Sequence, residues 1–338
     1  MIAPMPISPS RQAGSLSCVM PAFNEATSLP RVVPEVLAAL APLALQIELI
    51  VVDDGSRDDS AAVLTALSIQ YPQLVVLRLS RNFGKEAALT AGLQAARGDV
   101  VVLMDADGQH PVSLLPDMLQ QWRQGADVVY AVRRTRTDQT RLHARLADGF
   151  YRLVNWGSRV QIPPDAGDFR LMDRRVVEAL AALPERHRFM KGLYAWVGFH
   201  TTAIDYEPLP RQAGRSSFGL GGALRLGVTG LLAFSPTPLR LVGAAGLLLA
   251  VASLGYGAWV VVEYFWLGIN VPGYATQTVG MLFLSGIQLM AIGVLSEYVA
   301  RIYDEVKQRP LYLLADRLGQ GLPPHPPADG ADTPPAAP

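Results

Sequence analysis

The sequence predicts an α/β domain built on a mostly parallel sheet, followed by a C-terminal hairpin of two transmembrane helices. Short apolar runs alternate with helix-like segments over the first two thirds of the chain. Two long stretches near the C-terminus contain no charged residue. Of the 338 residues, 50% are apolar and only 17% are charged, less charge than water-soluble domains usually carry. A large α/β domain with a membrane part accounts for all three observations.

Apolar runs at residues 16–20, 47–52, 74–79, 100–104 and 127–132 predict the strands of the sheet. The segments at residues 27–40, 58–70 and 85–96 have the pattern of helices. Strands and helices that alternate in this way form a mostly parallel sheet with right-handed crossovers. Cys18, the only cysteine, lies in the first run, so we expect a buried thiol and no disulfide.

The two uncharged stretches, residues 241–262 and 275–296, are each long enough to cross a bilayer, which takes about 20 residues. A turn-rich connector at residues 268–274 separates them, and aromatic residues flank it as in an interfacial belt. Arg240 precedes the first span, and Arg301, Lys307 and Arg309 follow the second, which predicts a cytoplasmic position for both flanks. The alternative is a pair of buried core helices in a soluble protein.

These features divide the chain into six predicted segments. They are a disordered N-terminal extension (1–14), the α/β domain (15–213), an amphipathic juxtamembrane segment (214–238), two transmembrane helices (239–300), a cytoplasmic juxtamembrane segment (301–318) and a disordered tail (319–338). The extension has no long apolar core, so it does not resemble a cleaved signal peptide. Basic and acidic residues balance at 29 each, which argues against bulk nucleic-acid binding.

Polar clusters follow three of the predicted strands, at residues 21–25, 53–56 and 105–107. Ligands of such sheets bind beyond the carboxyl ends of the strands, so the three clusters predict one pocket. The first strand is not followed by a Gly-x-Gly-x-x-Gly or Gly-Lys-Ser/Thr loop, which disfavours a dinucleotide dehydrogenase or an NTPase.

Asp105 and Asp107 stand two residues apart at a strand end, so extended geometry would place both carboxylates on the same side. Oxygen ligands of this kind suit Mg²⁺ or Mn²⁺, and Gln109 adds a neutral oxygen. A solvated strand end without function is the alternative reading of such a pair. His110, next to Pro111, is expected to be a structural residue rather than a ligand or base.

Several motifs in register resemble family 2 glycosyltransferases of the GT-A fold. They are Pro21-Ala-Phe-Asn-Glu25, Asp53-Asp-Gly-Ser56, Arg81-Asn-Phe-Gly-Lys-Glu86, Asp105-Ala-Asp-Gly-Gln-His-Pro111, Gly167-Asp-Phe-Arg170, Lys191-Gly-Leu-Tyr-Ala-Trp-Val-Gly198 and Arg211-Gln-Ala-Gly-Arg-Ser-Ser217. With the two membrane spans, they resemble the polyprenyl-phosphate glycosyltransferases, a group that includes bactoprenol glucosyltransferases and dolichol-phosphate mannose synthases. Gly108 departs from the pattern, because many relatives carry a larger residue there.

The resemblance implies a role for each motif. A nucleotide-sugar donor would be held by Pro21, Ala22, Glu25, Asp53, Asp54, Lys85 and Asp105. Asp107 and Gln109 would hold the metal, Mg²⁺ or Mn²⁺. Catalysis would involve Asp105, Asp107, Asp168 and Arg215. Two of these roles have alternatives. Lys85 could almost equally be an ordinary lysine on the surface of a helix. Asp168 could orient the acceptor, orient Arg170, or take a proton.

The acceptor would be a polyprenyl phosphate, which needs cations near the membrane. A basic cluster follows the strand at residues 127–132 and contains Arg133, Arg134, Arg136, Arg141 and Arg145. Guanidinium groups suit phosphate geometry, although attraction to anionic lipid headgroups is the alternative. We expect Arg133, Arg134 and Arg141, together with Arg211 and Arg215 of a substrate-covering loop, to bind the acceptor phosphate.

The resemblance therefore predicts a multi-pass enzyme of the bacterial inner membrane that transfers a hexose with inversion, glucose from UDP-glucose being favoured. GDP-mannose and a UDP-4-amino-4-deoxy-L-arabinose derivative are the alternative donors, and a homo-oligomer is possible. A processive polysaccharide synthase is disfavoured because the chain has no Gln-x-x-Arg-Trp element and too few spans. The alternative from another class is a non-catalytic membrane adaptor with a transferase-like domain.

Overall fold

The computed structural model describes residues 11–133, 166–186, 188–207, 237–267 and 273–323. These residues form two compact units. The first contains a sheet with its covering helices, and the second contains two long helices.

Within the described residues, eight strands form one sheet in the order β7-β5-β6-β4-β1-β2-β3-β8. The strands are β1 (Ser15–Ala22), β2 (Gln46–Asp53), β3 (Leu74–Leu79), β4 (Val100–Leu103), β5 (Val128–Arg133), β6 (Ala166–Asp173), β7 (Thr201–Tyr206) and β8 (Leu314–Leu318). Strands β3, β2, β1 and β4 are parallel neighbours, as the alternating pattern predicts. Strand β6 is antiparallel to both β4 and β5, and β7 is parallel to β5.

Helices cover both faces of the sheet. They are α1 (Leu29–Leu40), α2 (Ser60–Gln70), α3 (Lys85–Ala95), α4 (Leu115–Arg123), α5 (Arg174–Ala182) and α6 (Met190–Trp196). Residues of α1, α2 and α4 join one face of the sheet in the main apolar core, which includes Cys18. On the other face, α3 packs against β1 and β2, and Gly92 of α3 leaves room for Val19 of β1. Burial on both faces explains why the central strands are almost continuously apolar.

Strand β8 was not predicted from the sequence, where residues 301–318 were expected to be a juxtamembrane segment. It pairs antiparallel with β3 and forms one edge of the sheet. The residues after it are attached as well, because the backbone N–H of Leu322 donates to Oε2 of Glu48 at 2.8 Å. Glu48 is buried, and its Oε1 accepts from Ser17 at 2.6 Å. The C-terminal end of the described chain therefore belongs to the first unit.

The second unit contains the helices α7 (Thr237–Leu267) and α8 (Tyr274–Lys307), of 31 and 34 residues. Each includes one of the two stretches predicted to span a membrane. Large apolar side chains on both helices are exposed, as in Leu248 at 71% and Met290 at 71%. In the described part of the chain, one stretch, Phe283–Lys307, has the length and hydropathy of a membrane span.

Candidate active site

The predicted site residues lie along one edge of the sheet. The parallel strands β1, β2 and β4 end at this edge, and β6 begins there because it runs antiparallel to β4. This topology places Ala22, Asp53, Asp105 and Asp168 at the same side of the domain. The carboxyl ends of parallel strands are where ligands of α/β proteins bind.

Lys85 joins two of these carboxylates. Its Nζ lies 2.6 Å from Oδ1 of Asp105 and 2.8 Å from Oδ2 of Asp168. The lysine side chain is 39% exposed, so the cluster remains open to solvent on one side. Of the two interpretations of Lys85, the structure therefore favours the one in which it faces the site.

The pKa values of Lys85 and Asp168 are shifted by the charges around them. Burial alone would lower the pKa of Lys85, but the two carboxylates outweigh that effect and raise it. Burial alone would raise the pKa of Asp168, yet its pKa is lowered because of Lys85, Lys191 and Arg170. Both partners of the ion pair are therefore charged near neutral pH.

The turn that follows β4 is held together internally. The backbone N–H of Asp105 donates to Nδ1 of His110 at 3.0 Å, and the His110 ring stacks on Phe169 with 4.6 Å between the centroids. His110 is buried, as expected of a structural residue. At Gly108, φ is +71°, and a Cβ atom there would collide with the Arg31 guanidinium. A larger residue at position 108 would therefore need both a strained backbone and a displaced Arg31.

Asp107 and Gln109 lie in this turn, and the backbone N–H of Gln109 donates to Oδ1 of Asp107 at 3.0 Å. Both side chains are partly exposed and present oxygen atoms. In the ranges that the structure covers, no three His, Cys, Asp or Glu side chains converge as a metal site. A Mg²⁺ or Mn²⁺ ion with few protein ligands takes the rest from substrate phosphates and water. The donor set at this turn fits such an ion.

Asp53 and Asp54 are neighbours with different surroundings. Both oxygens of Asp54 accept backbone N–H groups, Oδ1 from Phe83 at 2.7 Å and Oδ2 from Gly84 at 2.9 Å. Asp54 therefore positions the loop that leads to Lys85. Burial raises the pKa of Asp54, and these two hydrogen bonds oppose that effect. Gly55 lets the same loop approach closely, because a Cβ atom there would collide with the Arg81 backbone.

Asp53 is 1% exposed, and its Oδ1 accepts from the backbone N–H of Ser56 at 2.9 Å. Its Oδ2 is buried without a hydrogen-bond partner among the described residues. A buried carboxylate oxygen that lacks a donor is costly unless a ligand supplies one. Asp53 is therefore the member of the pair that is suited to bind a donor group of a substrate.

Pro21 and Ala22 form the end of β1 beside Val52 and Asp53 of β2. The carbonyl oxygen of Ala22 accepts from the backbone N–H of Asp54 at 2.9 Å. Glu25 lies just beyond, and its Oε2 accepts from Oγ of Ser28 at 2.6 Å. The first and second polar clusters of the sequence therefore form one continuous surface.

A further group of charged residues lies next to Lys85, and the sequence analysis assigned them no function. The backbone N–H of Met190 donates to Oε2 of Glu86 at 3.1 Å. Burial, followed by the charge of Asp168, raises the pKa of Glu86 to about 7. Arg170 is buried, and its guanidinium lies 3.3 Å from the centroid of the Tyr194 ring. Glu86 and Lys191 belong to the motifs at residues 81–86 and 191–198, and their charge within those motifs is the signal that the sequence offers for them.

Most of the predicted acceptor residues lie outside the described ranges. This applies to Arg134, Arg136, Arg141, Arg145, Arg211 and Arg215. The backbone of Arg133 pairs with Tyr206 at the end of β5, at the edge where β4 also ends, whereas its side chain is not among those described. Their predicted roles remain predictions.

Known proteins are similar to this chain over nearly its whole length. Residues 17–181 match the profile of Glycosyl transferase family 2, and residues 237–302 match the GtrB C-terminal hairpin. The uncharacterized glycosyltransferase sll0501 of Synechocystis sp. is 41% identical over 90% of this chain and 96% of its own length. The SfII prophage-derived bactoprenol glucosyl transferase of Shigella flexneri is 42% identical over 88% of this chain and 97% of its own length. For the prophage bactoprenol glucosyl transferase homolog of Escherichia coli K12, the identity is 40%, over 88% of this chain and 98% of the relative.

The matches include both the sheet domain that carries the polar motifs and the two-helix hairpin. The mixed sheet with helices on both faces is the GT-A-like architecture that the sequence predicted. On this evidence, the chain belongs to glycosyltransferase family 2 and is an enzyme of the type that carries the GtrB C-terminal hairpin.

Proposed function

We propose that this enzyme transfers glucose from UDP-glucose to a polyprenyl phosphate such as bactoprenol phosphate. One observation supports this choice of donor and acceptor. Relatives named bactoprenol glucosyl transferase align with this chain at 40–42% identity and are covered over 97–98% of their own length. The shared region includes the hairpin as well as the sheet domain.

The nucleotide end of the donor would bind over the ends of β1 and β2. The buried Oδ2 of Asp53 accepts a hydrogen bond from the base or the ribose, which gives this atom the partner that the described residues do not supply. Pro21, Ala22 and Glu25 form the adjoining surface. Asp54 contributes by holding the loop before α3 rather than by direct contact.

The diphosphate would lie at the turn after β4. Asp107 and Gln109 would hold a Mg²⁺ or Mn²⁺ ion there, and such an ion would offset the negative charge that develops on the departing diphosphate. Asp105 lies at the same strand end and is paired with Lys85. Lys85 brings a second positive charge to this region.

The acceptor supplies its own nucleophile. A phosphate monoester has a second pKa of about 6, so its oxygen is largely ionised near neutral pH and needs no strong base. This oxygen forms a bond to the anomeric carbon of glucose while the bond between that carbon and the diphosphate oxygen breaks. UDP leaves, and the α-linked donor gives a β-linked lipid product by inversion. Asp168 stays ionised and paired with Lys85, so its role is to position the reacting groups.

Basic residues at or after the ends of β5 and β7 in the sequence would hold the acceptor phosphate. They are the predicted residues Arg133, Arg134, Arg141, Arg211 and Arg215. The helices α7 and α8 span the bacterial inner membrane as a hairpin, with the catalytic domain and both termini on the cytoplasmic side. Assembly into a homo-oligomer is part of this proposal.

The experiment is a transfer assay with the full-length protein in detergent, undecaprenyl phosphate and a panel of radiolabelled donors. UDP-glucose should give one lipid-linked product, and NMR of its anomeric proton should show the β configuration. GDP-mannose and a UDP-aminoarabinose derivative should give little product. Preferred use of either would refute the choice of glucose, and an α-linked product would refute single displacement.

A further inference from the structure

Helix α6 is fastened to the active-site cluster at both of its ends. At its start, the backbone N–H of Met190 donates to Oε2 of Glu86 at 3.1 Å. One turn later, the buried Tyr194 ring covers the guanidinium of Arg170 at 3.3 Å. Arg170 belongs to β6, two residues after Asp168, and its charge helps to lower the pKa of Asp168. The helix is therefore held beside Asp168.

Lys191 lies between these two attachments. It directly follows Met190, whose backbone N–H is bonded to Glu86, and its positive charge lowers the pKa of Asp168 and opposes the raised pKa of Glu86. The side chain is partly exposed. Unlike Lys85, which is paired with two carboxylates, Lys191 forms no ion pair with the described residues. It is a cation that is fixed near the reaction centre and still available to an anion.

We propose that Lys191 binds the phosphate group of the acceptor. This inference rests on the proposed function, because it needs an acceptor that carries a phosphate. A phosphate dianion that approaches Asp105 and Asp168 would be repelled by two carboxylates, and Lys85 is already shared between them. Lys191 supplies the additional positive charge, and the two attachments of α6 set its position.

The donor diphosphate is the other phosphate that could reach a lysine at this site. The acceptor is favoured because the donor side of the cluster, at Asp105, is occupied by Lys85. Lys191 acts instead on Asp168 and Glu86. Separate binding measurements with an acceptor analogue and with UDP distinguish the two sources.

The test measures binding of farnesyl phosphate, farnesol and UDP to the full-length protein in detergent by calorimetry. Lys191→Ala should weaken farnesyl phosphate binding about tenfold, the effect expected when one charge-assisted hydrogen bond is lost. Lys191→Arg should restore most of the loss, because it keeps the charge. Binding of farnesol, which has no phosphate, and of UDP should change less than twofold. Arg123→Ala, at the exposed end of α4, is the matched control for loss of a surface cation.

If Lys191 had only a structural role, Lys191→Ala would bind all three ligands more weakly and would unfold at a lower temperature. That result would overturn the inference. Unchanged farnesyl phosphate binding would overturn it too, and so would a loss confined to UDP. A different result would refute the proposed function itself. In that case the wild-type protein would bind farnesyl phosphate no more tightly than farnesol, or would form no glucosyl lipid.

Discussion

Nζ of Lys85 lies 2.8 Å from Oδ2 of Asp168, an ion pair that joins the first residue of α3 to the beginning of β6. The same ammonium group lies 2.6 Å from Oδ1 of Asp105 at the end of β4. Three motifs that are far apart in the sequence therefore meet at one cation. Because two carboxylates that lie close together repel each other, the positive charge of Lys85 between them offsets that repulsion.

Replacing Lys85 should therefore impair catalysis more than folding. For Lys85→Ala we expect kcat to fall about 100-fold, since a charge that acts on the reacting groups is lost. Lys85→Arg should keep part of the activity because it retains the charge. Steady-state kinetics of glucosyl transfer measure the effect, with Arg123→Ala as the exposed control. A Lys85→Ala enzyme with normal kcat would show that Lys85 is an ordinary surface lysine.

The same variant should change the pH dependence of the reaction. Lys85 holds the pKa of Asp168 below its ordinary range, against the effect of burial. Without Lys85, burial remains and the pKa of Asp168 rises. If ionised Asp168 is required, the acidic limb of the pH–rate profile should move to higher pH in Lys85→Ala. An acidic limb at the wild-type position would contradict this role for the ion pair.

Asp53 and Asp54 offer a matched pair of substitutions. In Asp54→Asn, one of the two oxygens that accept backbone N–H groups becomes an NH₂ group, which cannot accept. The substitution should therefore lower the free energy of unfolding by about 1–3 kcal/mol. Asp53→Asn changes the oxygen that we propose binds the nucleotide, so it should weaken UDP binding with a smaller effect on unfolding. Thermal unfolding and UDP calorimetry on both variants separate the two effects. The reverse result, with Asp54 controlling UDP affinity alone, would contradict the assignment.

Glu86 should make stability depend on pH. Its pKa in the folded protein is about 7, above the ordinary value of about 4.3 for a glutamate. Between these two values the folded state binds the proton more tightly than the unfolded state, so the stability that this group contributes is present at low pH and is lost as pH rises through about 7.

Glu86→Gln removes that loss while its amide oxygen still accepts from Met190. We expect the variant to be more stable than the wild type by about 1–2 kcal/mol at pH 8, a value reduced for partial exposure of the side chain, and similar to it near pH 4.5. Urea unfolding of the detergent-solubilised protein at both pH values measures the difference. An equal difference at the two pH values would show that Glu86 is not the titrating group.

Much of the fold could be predicted because burial on two faces leaves a clear pattern. Strands β1 to β4 are apolar runs between turn residues, and the structure has them within a few residues of the predicted bounds. Strand β8 has no such pattern. It is an exposed edge strand whose sequence alternates charged and apolar residues irregularly, and its pairing with β3 is what makes it a strand.

The sequence indicated which residues form the site, but it did not indicate which atoms each of these residues contacts. The order of strands brings Asp105, Lys85 and Asp168 to one edge, as the motifs indicated. Sequence spacing does not show that Asp54 accepts backbone N–H groups while Oδ2 of neighbouring Asp53 has no partner in the part of the chain that the structure describes. Nor does it show that Glu86 holds α6. Such contacts depend on the path of loops in three dimensions.

The most direct test of the account compares wild type and Asp107→Ala for the transfer of radiolabelled glucose from UDP-glucose to undecaprenyl phosphate. The account predicts a single glucosylated lipid from the wild type in the presence of Mg²⁺ or Mn²⁺. It also predicts that transfer activity falls at least 100-fold in the variant, because metal binding at the departing diphosphate is weakened. Equal activity of the two proteins, or a wild type that forms no glucosyl lipid, would contradict the central claim.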